Sequence, residues 1–221
     1  MNLVKSLGFF DPDDIAGKIH IIGCGSVGST IAENLARCGV SNMVLYDFDK
    51  VESKNIVNQM FFERQVGMLK VEALAEILCD INADCRANLT LKPEGWQGEK
   101  LAGYVFLCPD SIEVRRDFCE KHKTNRFVKA VFDVRTMLTG AQHYAADWND
   151  MKMIDDLLAT MQFSHDEVKE TVSACGVTLG VATTVRVISA LAVSNFINFI
   201  KGKGLKKFIQ EDNFEFWEDA F

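Results

Sequence analysis

A glycine-rich turn close to the N-terminus constrains the fold of this chain more than any other feature. The segment GCGSVG, residues 23–28, has the spacing G-x-G-x-x-G, follows the β-branched run KIHII and precedes a helical pattern. In this setting the first glycine allows a tight turn, the second lets a phosphate approach the backbone, and the third lets helix and strand pack closely. The turn therefore predicts a nucleotide site, although the motif alone does not distinguish NAD from ATP. The residues predicted to line it are Gly23, Gly25, Ser26 and Gly28.

Apolar strand patterns alternate with helical patterns from residue 18 to about residue 135. This alternation predicts an α/β fold with a Rossmann-like, doubly wound, mostly parallel sheet, helices on both faces and the strand order 3-2-1-4-5. The chain of 221 residues is interpreted as a single domain. Residues 1–135 are expected to form the nucleotide-binding core, and residues 136–221 a small helical and antiparallel extension that offers a substrate or dimer surface.

Charge and cysteine content exclude several classes of partner and site. The formal net charge is −7, which argues against a general nucleic-acid or anionic-membrane binder. The seven cysteines include no C-x-x-C pair, so a structural zinc site is not expected, and the chain is assigned to a reducing, cytoplasmic compartment. The apolar run 176–200 contains Arg186 and two asparagines, so it is predicted to be a buried or subunit-interface helix and not a membrane span.

The stretch VLYDFDKVESKNIVNQMFF, residues 44–62, carries two aspartates where the second strand ends. One acid at this position would hold a ribose hydroxyl in an NAD-dependent dehydrogenase, which is an alternative assignment. That assignment leaves the other aspartate and Lys70 without a role. Lys70 lies on the same predicted helix face as Leu74 and Ile77, near a helix N-terminus where the macrodipole opposes a cation. An anion such as a triphosphate is expected to neutralise the charge of Lys70. The simpler alternative is that the aliphatic part of the lysine side chain covers apolar surface.

Asp110 follows the predicted fourth strand, YVFLC. In the order 3-2-1-4-5 that strand lies beside the first, so its end faces the glycine turn across the crevice where ligands bind in such sheets. A carboxylate beside a polyphosphate is expected to hold Mg²⁺. The alternative is an acid that caps a helix or stabilises a turn.

Three segments together resemble the ThiF/MoeB/HesA superfamily, the ubiquitin-activating-type adenylyltransferases. They are GCGSVGSTIAENLARCGV, LYDFDKVESKNIVNQMFFERQVGMLKVEAL and LCPDSIEVRRDF, and the similarity covers about residues 8 to 135 with matching order and spacing. The resemblance implies ATP, Mg²⁺ and a homodimer. It also implies adenylation of the C-terminal carboxylate of a ubiquitin-like or sulfur-carrier protein with a glycine tail, or of a peptide, with release of pyrophosphate.

The resemblance also implies roles for individual residues. The glycine turn would hold ATP. The further residues carried over are Asp47 on the ribose, Asp49 shaping the same pocket, Asn55 near the phosphates, Lys70 on β- or γ-phosphate oxygens, Asp110 on Mg²⁺ and Arg115 in the helix after it.

The chain departs from the family pattern at the segment Asn55 to Gln59. Relatives usually read Asn-x-x-Arg-Gln there, and this chain has Asn58 in place of the arginine, followed by Gln59. An amide can bond to phosphate but carries no charge, so one of three other arginines would have to supply it, or the chain would be a non-catalytic nucleotide-binding scaffold. Those three arginines are Arg64, Arg115 and Arg135.

Two further residues are candidates on weaker grounds. Arg135 is expected just past the fifth strand, where it would meet a substrate carboxylate or form a surface salt bridge. Cys175, in VSACGVT, lies roughly where some relatives of the resembled family place a functional cysteine, and a thiolate near a helix N-terminus would be activated. The alternative is a small buried thiol.

Overall fold

A computed structural model describes residues 1–164 and 179–221 of the chain. Its core is one eight-stranded sheet in the order β3-β2-β1-β4-β5-β6-β7-β8. The strands are β1 (Lys18–Ile22), β2 (Met43–Tyr46), β3 (Thr90–Lys92), β4 (Gly103–Leu107), β5 (Val128–Thr136), β6 (Gly140–Asp147), β7 (Phe208–Asp212) and β8 (Trp217–Ala220).

The helices lie on both faces of this sheet, and two of them begin at a side-chain cap. Ser111 accepts the Val114 N–H, and Asp150 accepts the Lys152 and Met153 N–H groups, so each caps the helix that follows it. The helices are α1 (Ser26–Arg37), α2 (Lys70–Ile81), α3 (Cys85–Asn88), α4 (Ile112–His122), α5 (Met151–Ala159) and α6 (Ala182–Ile200).

The first five strands form the parallel half of the sheet, with β1 between β2 and β4. This order, β3-β2-β1-β4-β5, confirms the predicted one. Strands β6, β7 and β8 then continue the same sheet in antiparallel pairs. The carboxyl ends of β1, β2 and β4 therefore meet at one edge, where the strand order reverses.

Apolar side chains fill both faces of the sheet. Helices α1, α2 and α6 cover one face, and α4 and α5 cover the other. On the first face the rings of Phe106 and Phe132 stack at 5.0 Å, and Phe196 of α6 meets both edge-on. These contacts fix α6 against the middle of the sheet.

Helix α6 alone, among the described residues, has the length and hydropathy of a membrane-crossing helix. Half of its most apolar window is buried inside the fold, against α1 and strands β5 and β6. The face left exposed is uncharged apart from Arg186, and includes Thr183, Val187, Ala190 and Ser194. The helix is therefore largely a core element, as its sequence predicted.

Glu211 in β7 is a buried carboxylate without a hydrogen-bond partner for either oxygen among the described residues. Burial raises its pKa to about 7, and the Asp212 and Glu218 carboxylates add to the rise. The folded state therefore binds this proton more tightly than the unfolded chain. The stabilising contribution of the neutral form is present below the ordinary pKa of 4.5 and is lost as the pH rises towards 7.

Glu211→Gln should therefore stabilise the protein at pH 8 by about 2 kcal/mol and have little effect at pH 5, because the amide stays neutral. Denaturant unfolding at the two pH values measures this difference. Glu218→Gln is the matched control, since Glu218 lies directly across the strand pair and is exposed. Equal effects of the two substitutions at pH 8 would contradict the prediction.

Candidate functional site

The glycine turn joins β1 to α1 and packs directly on the loop after β4. Gly23 has a φ of +89°, and a Cβ there would lie 2.7 Å from the Cys108 carbonyl oxygen. A Cβ on Gly28 would lie 1.9 Å from the Gly23 carbonyl oxygen. Both positions therefore require glycine for the fold itself.

Gly25 differs from the other two glycines of the turn. A Cβ built on Gly25 meets no atom of the protein within 4 Å. The residue precedes Ser26, the first residue of α1, so the space beside it lies at the N-terminus of a twelve-residue helix. Backbone N–H groups and the positive end of the helix dipole favour an anion there.

Asp47 connects the end of β2 to the glycine turn. Its Oδ2 accepts the Cys24 N–H at 2.7 Å, and its Oδ1 accepts the Asp49 N–H at 2.8 Å. Burial raises the pKa of the Asp47 carboxyl above its ordinary value, although Lys70 and these two N–H donors oppose the rise. The carboxylate therefore braces the turn, and each of its oxygens keeps a lone pair for a further donor.

Lys70 is the first residue of α2 and is buried, with 7% of its surface exposed. Its Nζ donates to Asp49 Oδ2 at 2.8 Å. The counter-ion of Lys70 in this structure is therefore a carboxylate of the chain itself. Burial by itself lowers the pKa of Lys70, but the Asp47 carboxylate and the Asp49 hydrogen bond outweigh it, so the net pKa is raised. Asp110 adds to that rise, which places its charge within electrostatic range of Lys70.

Asp110 lies in the loop between β4 and α4, and its side chain is exposed. Its carboxylate has no hydrogen-bond or ion-pair partner within residues 1–164 and 179–221, so it is available to a ligand. No group of three metal-binding side chains occurs among the described residues. That arrangement fits Mg²⁺, which proteins commonly hold through one or two carboxylates together with phosphate oxygens and water.

The three amides of the polar segment after Asp49 have three different environments. Asn55 Oδ1 accepts the Glu52 N–H at 2.8 Å and closes a capping box at a 3-10 turn. Asn58 Nδ2 donates to the Gly180 carbonyl at 3.3 Å, so it ties this segment to the approach to α6. The Gln59 Oε1 atom is buried and has no partner among the described residues.

The two arginines predicted near the crevice both form ion pairs with a third residue, Asp133. Arg115 donates to Asp133 Oδ1, and Arg135 donates to Asp133 Oδ2 at 2.8 Å. Arg135 lies within β5, so its predicted position past that strand is wrong. Its side chain is mostly buried, with 17% of its surface exposed, and it also donates to the Thr160 carbonyl and hydroxyl oxygens. Neither guanidinium is presented to the crevice as a free cation.

Asp133 itself was missed from the sequence, although a signal for it was present. It is an acid inside the apolar strand run FVKAVFDV, and its side chain is fully buried. A carboxylate in such a position requires a cationic or hydrogen-bonding partner. The pattern predicts that need but does not identify the partner.

The cysteines of the described residues carry no sign of catalysis. Burial raises the pKa of the Cys24 thiol well above its ordinary value, and the same cause raises that of Cys108 to about 12. Both thiols therefore stay protonated and serve packing. Cys175, the candidate nucleophile, lies outside the described residues.

Comparison with known proteins identifies the family of this chain and supports its fold. The family described as the ThiF family matches residues 15–217. Ubiquitin-like modifier-activating enzyme 5 of Drosophila virilis is 33% identical over 151 residues, covering 59% of this chain and 36% of the relative. The same enzyme of Drosophila persimilis is 42% identical over 131 residues, covering 52% of this chain and 33% of the relative. The chain thus spans about a third of the length of these curated relatives.

Solved structures share the fold at lower sequence identity. The crystal structure of E. coli MccB with ATP superposes with a TM-score of 0.71 and 18% identity, covering 95% of this chain and 65% of that one. The crystal structure of PaaA gives a TM-score of 0.71 and 16% identity with the same coverage. Over nearly the whole chain, therefore, the predicted Rossmann-like architecture with its antiparallel C-terminal part is confirmed.

Proposed function

We propose, from the premise that this chain belongs to the ThiF family, that it activates a C-terminal carboxylate as an acyl-adenylate with ATP and Mg²⁺. One observation carries the proposal. A buried lysine, Lys70, and an unpaired carboxylate, Asp110, lie within electrostatic range of each other at the carboxyl edge of the sheet. A dehydrogenase needs neither of them, whereas a metal-bound triphosphate requires both charges.

In the proposed reaction an oxygen of the ionised substrate carboxylate forms a bond to the α-phosphorus of ATP. The bond from that phosphorus to the oxygen bridging to the β-phosphate breaks, and pyrophosphate leaves. No general base is needed, because the carboxylate is already ionised at neutral pH. The chemistry therefore asks the protein for positioning and for charge neutralisation.

Each part of the crevice has a share in that positioning. The backbone N–H groups at the start of α1 would hold phosphate oxygens beside Gly25, and Asp47 would hold the ribose. Lys70 would leave Asp49 for a β- or γ-phosphate oxygen. Asp110 would hold Mg²⁺, which when bound neutralises phosphate charge.

Two arginines near the Asn58 segment remain as candidate sources of the positive charge that Asn58 lacks. Arg115 and Arg135 are engaged by Asp133, so they are poor replacements. Arg64 and Arg186 are exposed and form no ion pair within the described part of the chain; Arg64 stacks on Phe62 and Arg186 contacts Met60. If neither reaches the nucleotide, the second candidate function applies, a nucleotide-binding scaffold without catalysis.

The proposed substrate is a ubiquitin-like or sulfur-carrier protein with a C-terminal glycine tail, or a peptide. Support comes from the names of the relatives, ubiquitin-like modifier-activating enzymes, and from MccB, which has been solved in complex with N-formylated MccA. Residues 136–221 are proposed to supply the substrate and dimer surface. The exposed face of α6, which carries no charge apart from Arg186, is the candidate contact for a homodimer.

ATP–pyrophosphate exchange tests this function directly. Radiolabelled pyrophosphate should enter ATP only when Mg²⁺ and a small protein or peptide ending in glycine are present. Calorimetry with ATP and with NAD should show binding of ATP alone. Binding of NAD without ATP would establish the dehydrogenase alternative, and ATP binding without exchange across a panel of carriers would establish the scaffold.

Gly25→Ala should weaken ATP binding about tenfold without loss of folding, because its methyl group enters space that no protein atom occupies. Calorimetric affinity and the thermal midpoint measure the two effects. Gly28→Ala is the matched contrast, since its Cβ would overlap the Gly23 carbonyl oxygen and should impair folding. Wild-type ATP affinity in a folded Gly25→Ala protein would show that the phosphates lie elsewhere.

A further inference from the structure

Asp133 lies at the centre of a buried ionic cluster near the carboxyl end of β5. It is fully buried, and each of its oxygens accepts from a different guanidinium, Oδ1 from Arg115 and Oδ2 from Arg135. Two cations thus share one carboxylate. A buried guanidinium without a carboxylate would be strongly destabilising, so both arginines depend on Asp133.

Arg115 uses the rest of its guanidinium on the loop that carries Asp110. Its Nη1 donates to the Leu107 carbonyl at 2.9 Å, and its Nη2 donates to the Pro109 carbonyl. Leu107 is the last residue of β4, and Pro109 directly precedes Asp110. The guanidinium therefore holds the backbone on both sides of Cys108, and only a planar fork of donors can do so while also bonding a carboxylate.

The loop held in this way is also the surface on which the glycine turn rests. The Cys108 carbonyl oxygen lies 2.7 Å from where a Cβ of Gly23 would be, and the Cys108 N–H donates to the Ile22 carbonyl at 2.8 Å. A shift of residues 107–110 would therefore move Asp110 and the glycine turn together. Their relative placement depends on Arg115, which itself depends on Asp133.

We propose that Asp133 and Arg115 are positioning residues that hold the Asp110 loop in its ligand-binding position before any nucleotide arrives. The inference rests on the proposed function for the role of Asp110, but the positioning itself is a property of the free protein. Arg115, which the resemblance places in the helix after Asp110, acts through the backbone of this loop, and Asp133 directs it there.

The first test is hydrogen exchange of the nucleotide-free protein. Arg115→Lys keeps the charge but loses the fork, so exchange at the Cys108 amide should be about tenfold faster, while Val105 in the middle of β4 stays unchanged. Arg116→Lys is the matched control, because Arg116 is the next residue of α4 and donates to the Met161 carbonyl at 2.9 Å, away from this loop. Unchanged exchange at Cys108, or an equal rise at Val105, would overturn the proposal.

The second test uses the Mg²⁺ dependence of ATP–pyrophosphate exchange. Arg115→Lys should raise the Mg²⁺ concentration for half-maximal rate about tenfold and leave the rate at saturating Mg²⁺ within about threefold of wild type. A lower saturating rate at unchanged Mg²⁺ dependence would overturn the positioning role. Asp133→Asn should give the same shift with a lower thermal midpoint, and if it fails to fold the Arg115→Lys comparison still decides.

The two tests separate this inference from the proposed function. A wild-type protein that shows no ATP–pyrophosphate exchange with any carrier would contradict the adenylyltransferase assignment. In that case, faster hydrogen exchange at the Cys108 amide of the Arg115→Lys variant would still support the proposal that Arg115 holds the loop.

Discussion

Asp110→Ala should lower Mg²⁺-dependent ATP–pyrophosphate exchange by about 100-fold or more, which corresponds to about 3 kcal/mol of lost stabilisation. The thermal midpoint should stay close to that of wild type. The side chain is exposed and has no hydrogen-bond or ion-pair partner among the described residues, so its removal breaks no contact of the fold. The substitution should instead weaken Mg²⁺ binding, because Asp110 is the carboxylate proposed to hold the metal.

Asp117→Ala is the control for this substitution. Asp117 is a half-exposed acid on α4 whose ion-pair partner within the described part of the chain is Lys121 at 2.7 Å, and such surface pairs contribute little. Its exchange rate should match wild type at every Mg²⁺ concentration. If Asp110→Ala retained wild-type exchange, the magnesium role would have to move to another residue.

Lys70→Ala should weaken ATP binding by about 10- to 100-fold, since a charge-assisted contact to phosphate is worth about 1.5–3 kcal/mol. The thermal midpoint should also fall, because Asp47 would lose the nearby cation that favours its ionised form. Calorimetric titration with Mg-ATP measures the affinity. Lys54→Ala, which removes an exposed lysine paired with Glu52 at 2.9 Å, should leave it unchanged.

Asp49→Asn distinguishes two roles for Lys70. In the structure Lys70 is bound to Asp49, so a nucleotide phosphate that binds Lys70 as proposed would have to displace the Asp49 carboxylate. The asparagine variant should release Lys70 and bind ATP at least as tightly as wild type. A weakening as large as that of Lys70→Ala would instead assign Asp49 to the nucleotide pocket, as the family resemblance implies.

The success of the fold prediction has a local cause. Short β-branched runs, the glycine turn and the helix caps each act over a few residues, and their alternation leaves one plausible sheet order. The burial of Lys70 followed in the same way from its spacing to Leu74 and Ile77, and both of those residues are buried with it. The antiparallel strands β6, β7 and β8 were predicted only in outline, as part of a helical and antiparallel extension over residues 136–221.

The shared partner of the two crevice arginines could not be predicted, for a non-local reason. Arg115 and Asp133 are eighteen residues apart in the chain. They lie on a helix and a strand that come into contact only in the folded structure. No spacing rule relates them. The same holds for Asn58, whose partner Gly180 is 122 residues away.

The sequence by itself therefore determined the order of strands and helices, the glycine turn, and the group of charged residues at the carboxyl edge of the sheet, because periodicity and turn chemistry act within one element. Only the tertiary structure decided which charge meets which: Lys70 lies on Asp49, and both arginines lie on Asp133. The physical reason is that a buried ion requires a counter-ion within a few ångströms, and packing between distant segments selects which one is there.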